Sequence, residues 1–221
     1  LPLPSTSSYV FLFGRPLNHA KEAPTTGAWQ FTNAIDSWSW QGYEGEKAVV
    51  EVYANSASVR LLLNGKEIAN KPVKKYKTLF KLPYQPGTLT AEALDERANV
   101  ISSHSLTTAG EETVLRVTPD KMVLCANNQA LCYLPIEFTD KAGNLKPYME
   151  QRVEVAVAGA ATLAGFGSAL CKTNEVFDKP YHHSYRGRCL AVLRAGSTPG
   201  KAKVTVTSAG MEPVTIEVEV Q

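Results

Sequence analysis

Ser58-Val59-Arg60-Leu61-Leu62-Leu63-Asn64-Gly65-Lys66-Glu67-Ile68-Ala69 is the stretch that decides the fold. A short, apolar-rich run meets Asn64-Gly65 and turns back on itself. Asn-Gly favours a type I′ turn because both central residues must take positive φ, and that turn matches the twist of two antiparallel strands. The expectation is a β-hairpin. The pattern continues on both sides. Lys47–Tyr53 is a β-branched run before it, and Thr78–Leu82, Thr88–Leu94 and Val100–Leu106 are further short runs after it. Pro83, Pro86-Gly87 and Asp95–Asn99 punctuate them. Six or seven short strands separated by turn signals predict a β-sandwich.

A second series follows the small, polar stretch Thr107–Glu112. Val114–Val117, Arg152–Val157, Lys203–Thr207 and Val214–Val220 alternate apolar with polar, which predicts a sheet with one wet face. Leu131–Phe138 is an apolar run in which Pro135 implies an edge strand or a bulge. No stretch keeps a helical period. The fold class expected is therefore all-β, as two tandem immunoglobulin-like β-sandwich domains. Their bounds are 36–109 and 110–221, after an irregular tail at 1–35 punctuated by Pro2, Pro4, Pro16, Pro24 and a Thr25-Thr26-Gly27 turn.

Composition excludes some functions. With 23 basic and 21 acidic residues the net charge is +2, so neither nucleic acid nor an anionic membrane surface is expected as a partner. No apolar run approaches the roughly 18 residues that would cross a bilayer. The opening Leu1-Pro2-Leu3-Pro4-Ser5 shows no basic n-region, and is expected to be the cut end of a longer protein. Cys125, Cys132, Cys171 and Cys189 form no C-x-x-C pair. Cys132 and Cys189 sit in apolar runs as small hydrophobes, and free thiols are expected, with Cys125–Cys171 or Cys125–Cys132 as the alternative disulfide.

Several residues invite a chemical reading. Glu175 is one carboxylate where glycoside hydrolysis takes two, so it reads as a solvated loop residue and no catalytic residue is expected. His182 and His183 are adjacent, which on a strand sends them to opposite faces, so they are not expected to chelate a metal. The segment 165–188 reads as one long loop, a feature that is usually functional or packed on a neighbour. Trp38, Trp40 and Tyr43 fit two readings. Exposed, they would be a platform for sugar rings; at i and i+2 on a strand they would share a face and plug the sandwich or an interdomain contact. The same carbohydrate or interdomain role is open for His182, His183 and Tyr185. Lys66, Lys71, Lys74, Lys75 and Lys77 read as a solvated hairpin face. No cofactor motif is present.

Several of these stretches also resemble a known family. Ser37–Gly45, Val59–Lys66, Leu82–Leu89, Thr107–Gly110 and Tyr185–Arg194 are similar, in order and spacing, to the C-terminal region of glycoside hydrolase family 2 enzymes of the β-galactosidase type. The resemblance spans residues 29–221; Cys171 and Cys189 depart from the family pattern. It implies a parent chain with a catalytic (β/α)₈ barrel upstream, which would hold the two glutamates of a retaining mechanism. The domains here would then be non-catalytic, buttressing the barrel or shaping its rim. Other implied features are a periplasmic or secreted setting, oligomers formed through the parent enzyme, and carbohydrate as a further partner. A carbohydrate-binding module and a surface adhesion protein are the alternatives.

Overall fold

A strand buries one face only if every second residue is apolar, and two such faces must meet to exclude water. The computed structural model, which describes residues 8–18 and 32–221, shows that solution twice. No helix occurs among the described residues, and the chain divides into two compact units between Ala109 and Gly110. Pro2, Pro4, Pro24 and the Thr25-Thr26-Gly27 turn lie outside the described residues.

The first unit contains β1 (Val10–Gly14), β2 (Lys47–Ala54), β3 (Ser58–Leu63), β4 (Lys66–Pro72), β5 (Lys77–Pro83), β6 (Thr88–Leu94) and β7 (Val100–Thr107). They form a three-stranded sheet, β1-β2-β5, and a four-stranded sheet, β4-β3-β6-β7. Asn64 and Gly65 take φ of 52° and 77°, the backbone that a type I′ hairpin needs. β1 corrects the expectation of an irregular tail over 1–35. Val10 to Gly14 pair antiparallel with Ala54 to Val50, and Leu12 is fully buried.

Trp38 and Trp40 are inside this unit, 0% and 1% exposed, with Phe80, Leu82 and Tyr84 in the same core. The Trp38 and Tyr84 rings meet edge to face at 5.0 Å. Burial removes the sugar-platform reading for both indoles. The plug, however, is not built on a strand: residue 36 is a bend and 37–40 lie in no strand, and Ser37 and Ser39 are buried as well. Hydrogen bonds hold that segment instead. Trp38 Nε1 donates to Gln85 O at 3.0 Å, Trp40 N to Tyr84 Oη at 3.0 Å, and Thr108 Oγ1 to Trp38 O at 2.6 Å. Ala109 N donates to Ser39 Oγ at 2.9 Å. The segments around Trp38, Gln85 and Thr108 are thus clipped together at one end of the unit.

Glu51 on β2 is a carboxylate with no exposed side-chain surface. Arg15 Nε and Thr32 Oγ1 reach Oε1 at 2.7 and 2.8 Å, and Lys77 Nζ and Tyr53 Oη reach Oε2 at 2.6 and 2.8 Å. Lys77 is therefore no member of a merely solvated face. Burial alone would raise the Glu51 pKa, but the bonds from Lys77, Tyr53, Thr32 and Arg15 outweigh it and hold the group at about 2 instead of 4.5. The cluster ties β1's continuation and residue 32 to β2 and β5.

The second unit contains β8 (Val114–Val117), β9 (Val123–Leu124), β10 (Leu131–Thr139), β11 (Arg152–Gly159), β12 (Ala161–Gly167), β13 (Tyr181–His183), β14 (Arg188–Ala195), β15 (Gly200–Ser208) and β16 (Val214–Val220). Its sheets are β12-β14-β10-β8 and β13-β11-β15-β16-β9. Two expectations need correction. The 165–188 stretch is not one loop: it holds the end of β12, then β13 and the start of β14. And β10 is an interior strand, neither an edge nor bulged at Pro135. The proline is tolerated because it lies one residue past the β8 ladder. Thr118 N donates to Pro135 O at 3.1 Å, but Pro135 has no N–H to return, so the β8 pairing stops at Val117↔Ile136.

Two outcomes follow from this unit-by-unit packing. Trp38→Ala should destabilise the first unit by about 3–5 kcal/mol, measured by chemical denaturation, since it empties a fully packed site. Glu51 has a folded pKa below its unfolded one, so its contribution is complete above about pH 4.5 and is lost as pH falls toward 2. Glu51→Gln should therefore flatten the acid side of the stability–pH curve, removing about 3 kcal/mol at pH 7 and little near pH 2.

Candidate functional site

The apolar runs of β10 and β14 lie side by side in antiparallel register. Inward they give Cys132, Leu134, Ile136, Cys189, Ala191 and Leu193, all buried. Burial, with Glu175's negative charge nearby, pushes the Cys189 thiol up to about 12, so it stays protonated and chemically quiet. All four cysteines are free thiols; Cys125 and Cys171 are exposed.

Outward, the same strands form the floor of an open groove of about 550 Å³. Pro135, Leu190 and Val192 line it, with Gly165 and Gly167 of β12. Its wall is Phe177, from the loop between β12 and β13, which is 57% exposed. Gly167 leaves room for it: a Cβ there would sit 2.3 Å from the Phe177 ring and force the ring to shift. Phe166 N donates to Phe177 O at 2.8 Å, which ties the loop to the β12 edge.

The histidines brace this wall. His182 and His183 do point to opposite sides, His182 fully buried and His183 exposed. The Phe177 ring stacks on His182 at 5.7 Å with 6° between planes, and Phe166 meets it edge-on. His182 Nδ1 donates to His183 O at 2.9 Å and lies 3.3 Å from Glu175 Oε2. Its Nε2 is buried with no partner among the described residues. His183 N and Nδ1 reach the two Glu175 oxygens at 3.1 and 2.7 Å. Glu175 is thus no free solvated side chain. Burial raises its pKa, but the His183 hydrogen bonds and the two imidazoles prevail and lower it.

Tyr185 begins the turn into β14. Arg186 and Gly187 take φ of 52° and 74°, and the Arg186 guanidinium lies over the Tyr185 ring at 5.1 Å. Among the six residues singled out from the sequence, then, His182 and His183 share one carboxylate, and Tyr185 is half-buried in the adjoining turn. Trp38 and Trp40 are in the first unit's core, and Tyr43 packs half-buried against it. Sequence reasoning missed Phe166, Phe177 and the outer faces of Tyr133, Pro135, Leu190 and Val192. The signal that marks the last four is the unbroken apolar character of 131–136 and 189–193: a strand apolar at every position is built to be covered on both faces. Among the described residues, no group of three or more His, Cys, Asp or Glu is placed to hold a metal ion.

The fold and groove define tandem immunoglobulin-like sandwich modules. Residues 115–217 match the family model of glycoside hydrolase family 2 C-terminal domain 5, and residues 45–101 match a domain of unknown function. Beta-galactosidase BoGH2A of Bacteroides ovatus is 29% identical over 195 residues, 87% of this chain but 23% of that protein. A glycosyl hydrolase family 2 member from Bacteroides cellulosilyticus superposes with a TM-score of 0.87 at 25% identity, over 98% of this chain and 29% of that one. A beta-glycosidase from Bacteroides vulgatus shares the fold, with a TM-score of 0.77 at 22% identity over 84% of this chain and 24% of that one. Residues 115–217 thus match a C-terminal domain of glycoside hydrolase family 2, and the chain as a whole is similar to the C-terminal region of such proteins, spanning about a quarter of the length of the relatives it matches.

Removing the brace should loosen the wall without unfolding the unit. Glu175→Ala is expected to speed amide exchange at His183 and across 168–180 while the exchange of β10 and β14 holds. In the unaltered protein the same protection should be present at neutral pH and fade as pH drops below the ordinary carboxylate range, because Glu175 titrates lower folded than unfolded.

Proposed function

We propose that this chain supplies non-catalytic C-terminal domains to a retaining glycoside hydrolase of the β-galactosidase type, acting in carbohydrate degradation in a periplasmic or secreted setting. The observation that carries the reading is the match to BoGH2A, which covers most of this chain and only a small part of that enzyme. The chemistry is consistent with it. Glycoside hydrolysis takes two carboxylates facing each other across the scissile bond. The carboxylate behind the groove's wall, Glu175, is already engaged by two imidazoles, and the Cys189 thiol is held protonated. The work left to these sandwiches is mechanical: to buttress a catalytic barrel or to shape its rim.

Hydrolysis of nitrophenyl β-D-galactoside tests this. The parent polypeptide should turn it over, and residues 1–221 alone should not. Turnover by residues 1–221 would sink the non-catalytic role; a parent that cleaves other glycosides but no β-galactoside would sink the substrate class.

A further inference from the structure

The two sheets of the second unit differ on their outer faces. On β11, β15 and β16 the outward residues include Glu154, Lys203, Thr205, Glu217 and Glu219, the polar face expected of a wet sheet. On the other sheet, register sets Tyr133 beside Val192 and Pro135 beside Leu190. It then sets Val192 beside Gly165 and Leu190 beside Gly167. Tyr133 is 42% exposed and Leu190 41%, beside Phe177. A continuous apolar patch with a braced aromatic wall marks an interaction surface more than a chance scatter of hydrophobes.

Two features say what covers it. Polar groups at the groove are few, Ser168 and Arg188 among them, whereas a sugar needs hydrogen-bonding partners along its edges. An apolar protein surface fits better. On that sheet's outer face Arg188 is paired with Glu137 at 2.8 Å, and the charges beyond that pair are Arg116 and Arg194, which asks for carboxylates on the partner's rim. The matched relatives, moreover, carry most of their length outside the region this chain covers, so such a surface is available in cis.

We propose that the outer face of β12-β14-β10, with Phe177, docks the remainder of the same parent polypeptide through an apolar patch rimmed by acidic side chains. This rests on the reading that a catalytic barrel shares the polypeptide. The test is thiol labelling of the parent polypeptide with N-ethylmaleimide, resolved by peptide mass spectrometry so that Cys125 and Cys171 do not interfere. Leu190→Cys places a thiol in the patch, and Lys203→Cys places one on the wet sheet. The thiol at 190 should label at least about tenfold more slowly than that at 203. Equal rates in a sample that still hydrolyses galactoside would overturn the docking and leave the proposed function standing. Protection at 190 in a sample without glycosidase activity would support the docking and sink that function. Protection lost on dilution to a monomer, or gained only with added galacto-oligosaccharide, would overturn the proposal in favour of a second copy or a glycan.

Discussion

A β-strand sends alternate side chains to opposite faces, so each strand declares which of its faces must be dry. That constraint organises this protein. β11, β15 and β16 declare one dry face and one wet face. β10 and β14 declare two dry faces, and the sandwich covers only the inner one. The groove and its Phe177 wall lie on the side left over, and the histidine–glutamate brace backs that wall from β13 at the edge of the other sheet. The docking role proposed for the second unit rests on that excess of apolar surface.

The first unit solves a different problem, which is to hold irregular backbone against a sandwich. Extended segments carry polar backbone groups that must find partners. Here Trp38, Trp40 and Thr108 fill and clip one end, and Gly14 exchanges backbone bonds with Ile35. Glu51 is the buried counterpart: four donors converge on one carboxylate, and each comes from a different point on the chain. An ion cluster of this kind costs desolvation, so its value lies as much in fixing where Arg15 and Thr32 sit as in net stability.

Much of this was legible in the residues. The Asn64-Gly65 hairpin, the alternation of β11, β15 and β16 and the burial of Cys132 and Cys189 follow from local rules of turn chemistry and period. What was not legible depends on partners distant in sequence. Tyr9–Phe13 is too short to announce a strand until β2 is beside it, and three-residue β13 exists only through its pairing with β11. Glu175 reads as a lone loop carboxylate because nothing local says that His182 and His183 will reach it. Lys77 hides in a run of lysines for the same reason. The groove was half-written: the unbroken apolar runs were visible, but Phe177 had to be seen lying on Gly167 before they became a site.

We propose that the second unit's dry outer face secures it to the rest of the parent polypeptide. The direct measurement is the temperature of half-inactivation of glycosidase activity in the parent polypeptide carrying Leu190→Asp with Val192→Asp, against one carrying Lys203→Asp. The account predicts a marked fall for the first pair and none for the second. Equal inactivation temperatures, with both variants folded, would contradict it.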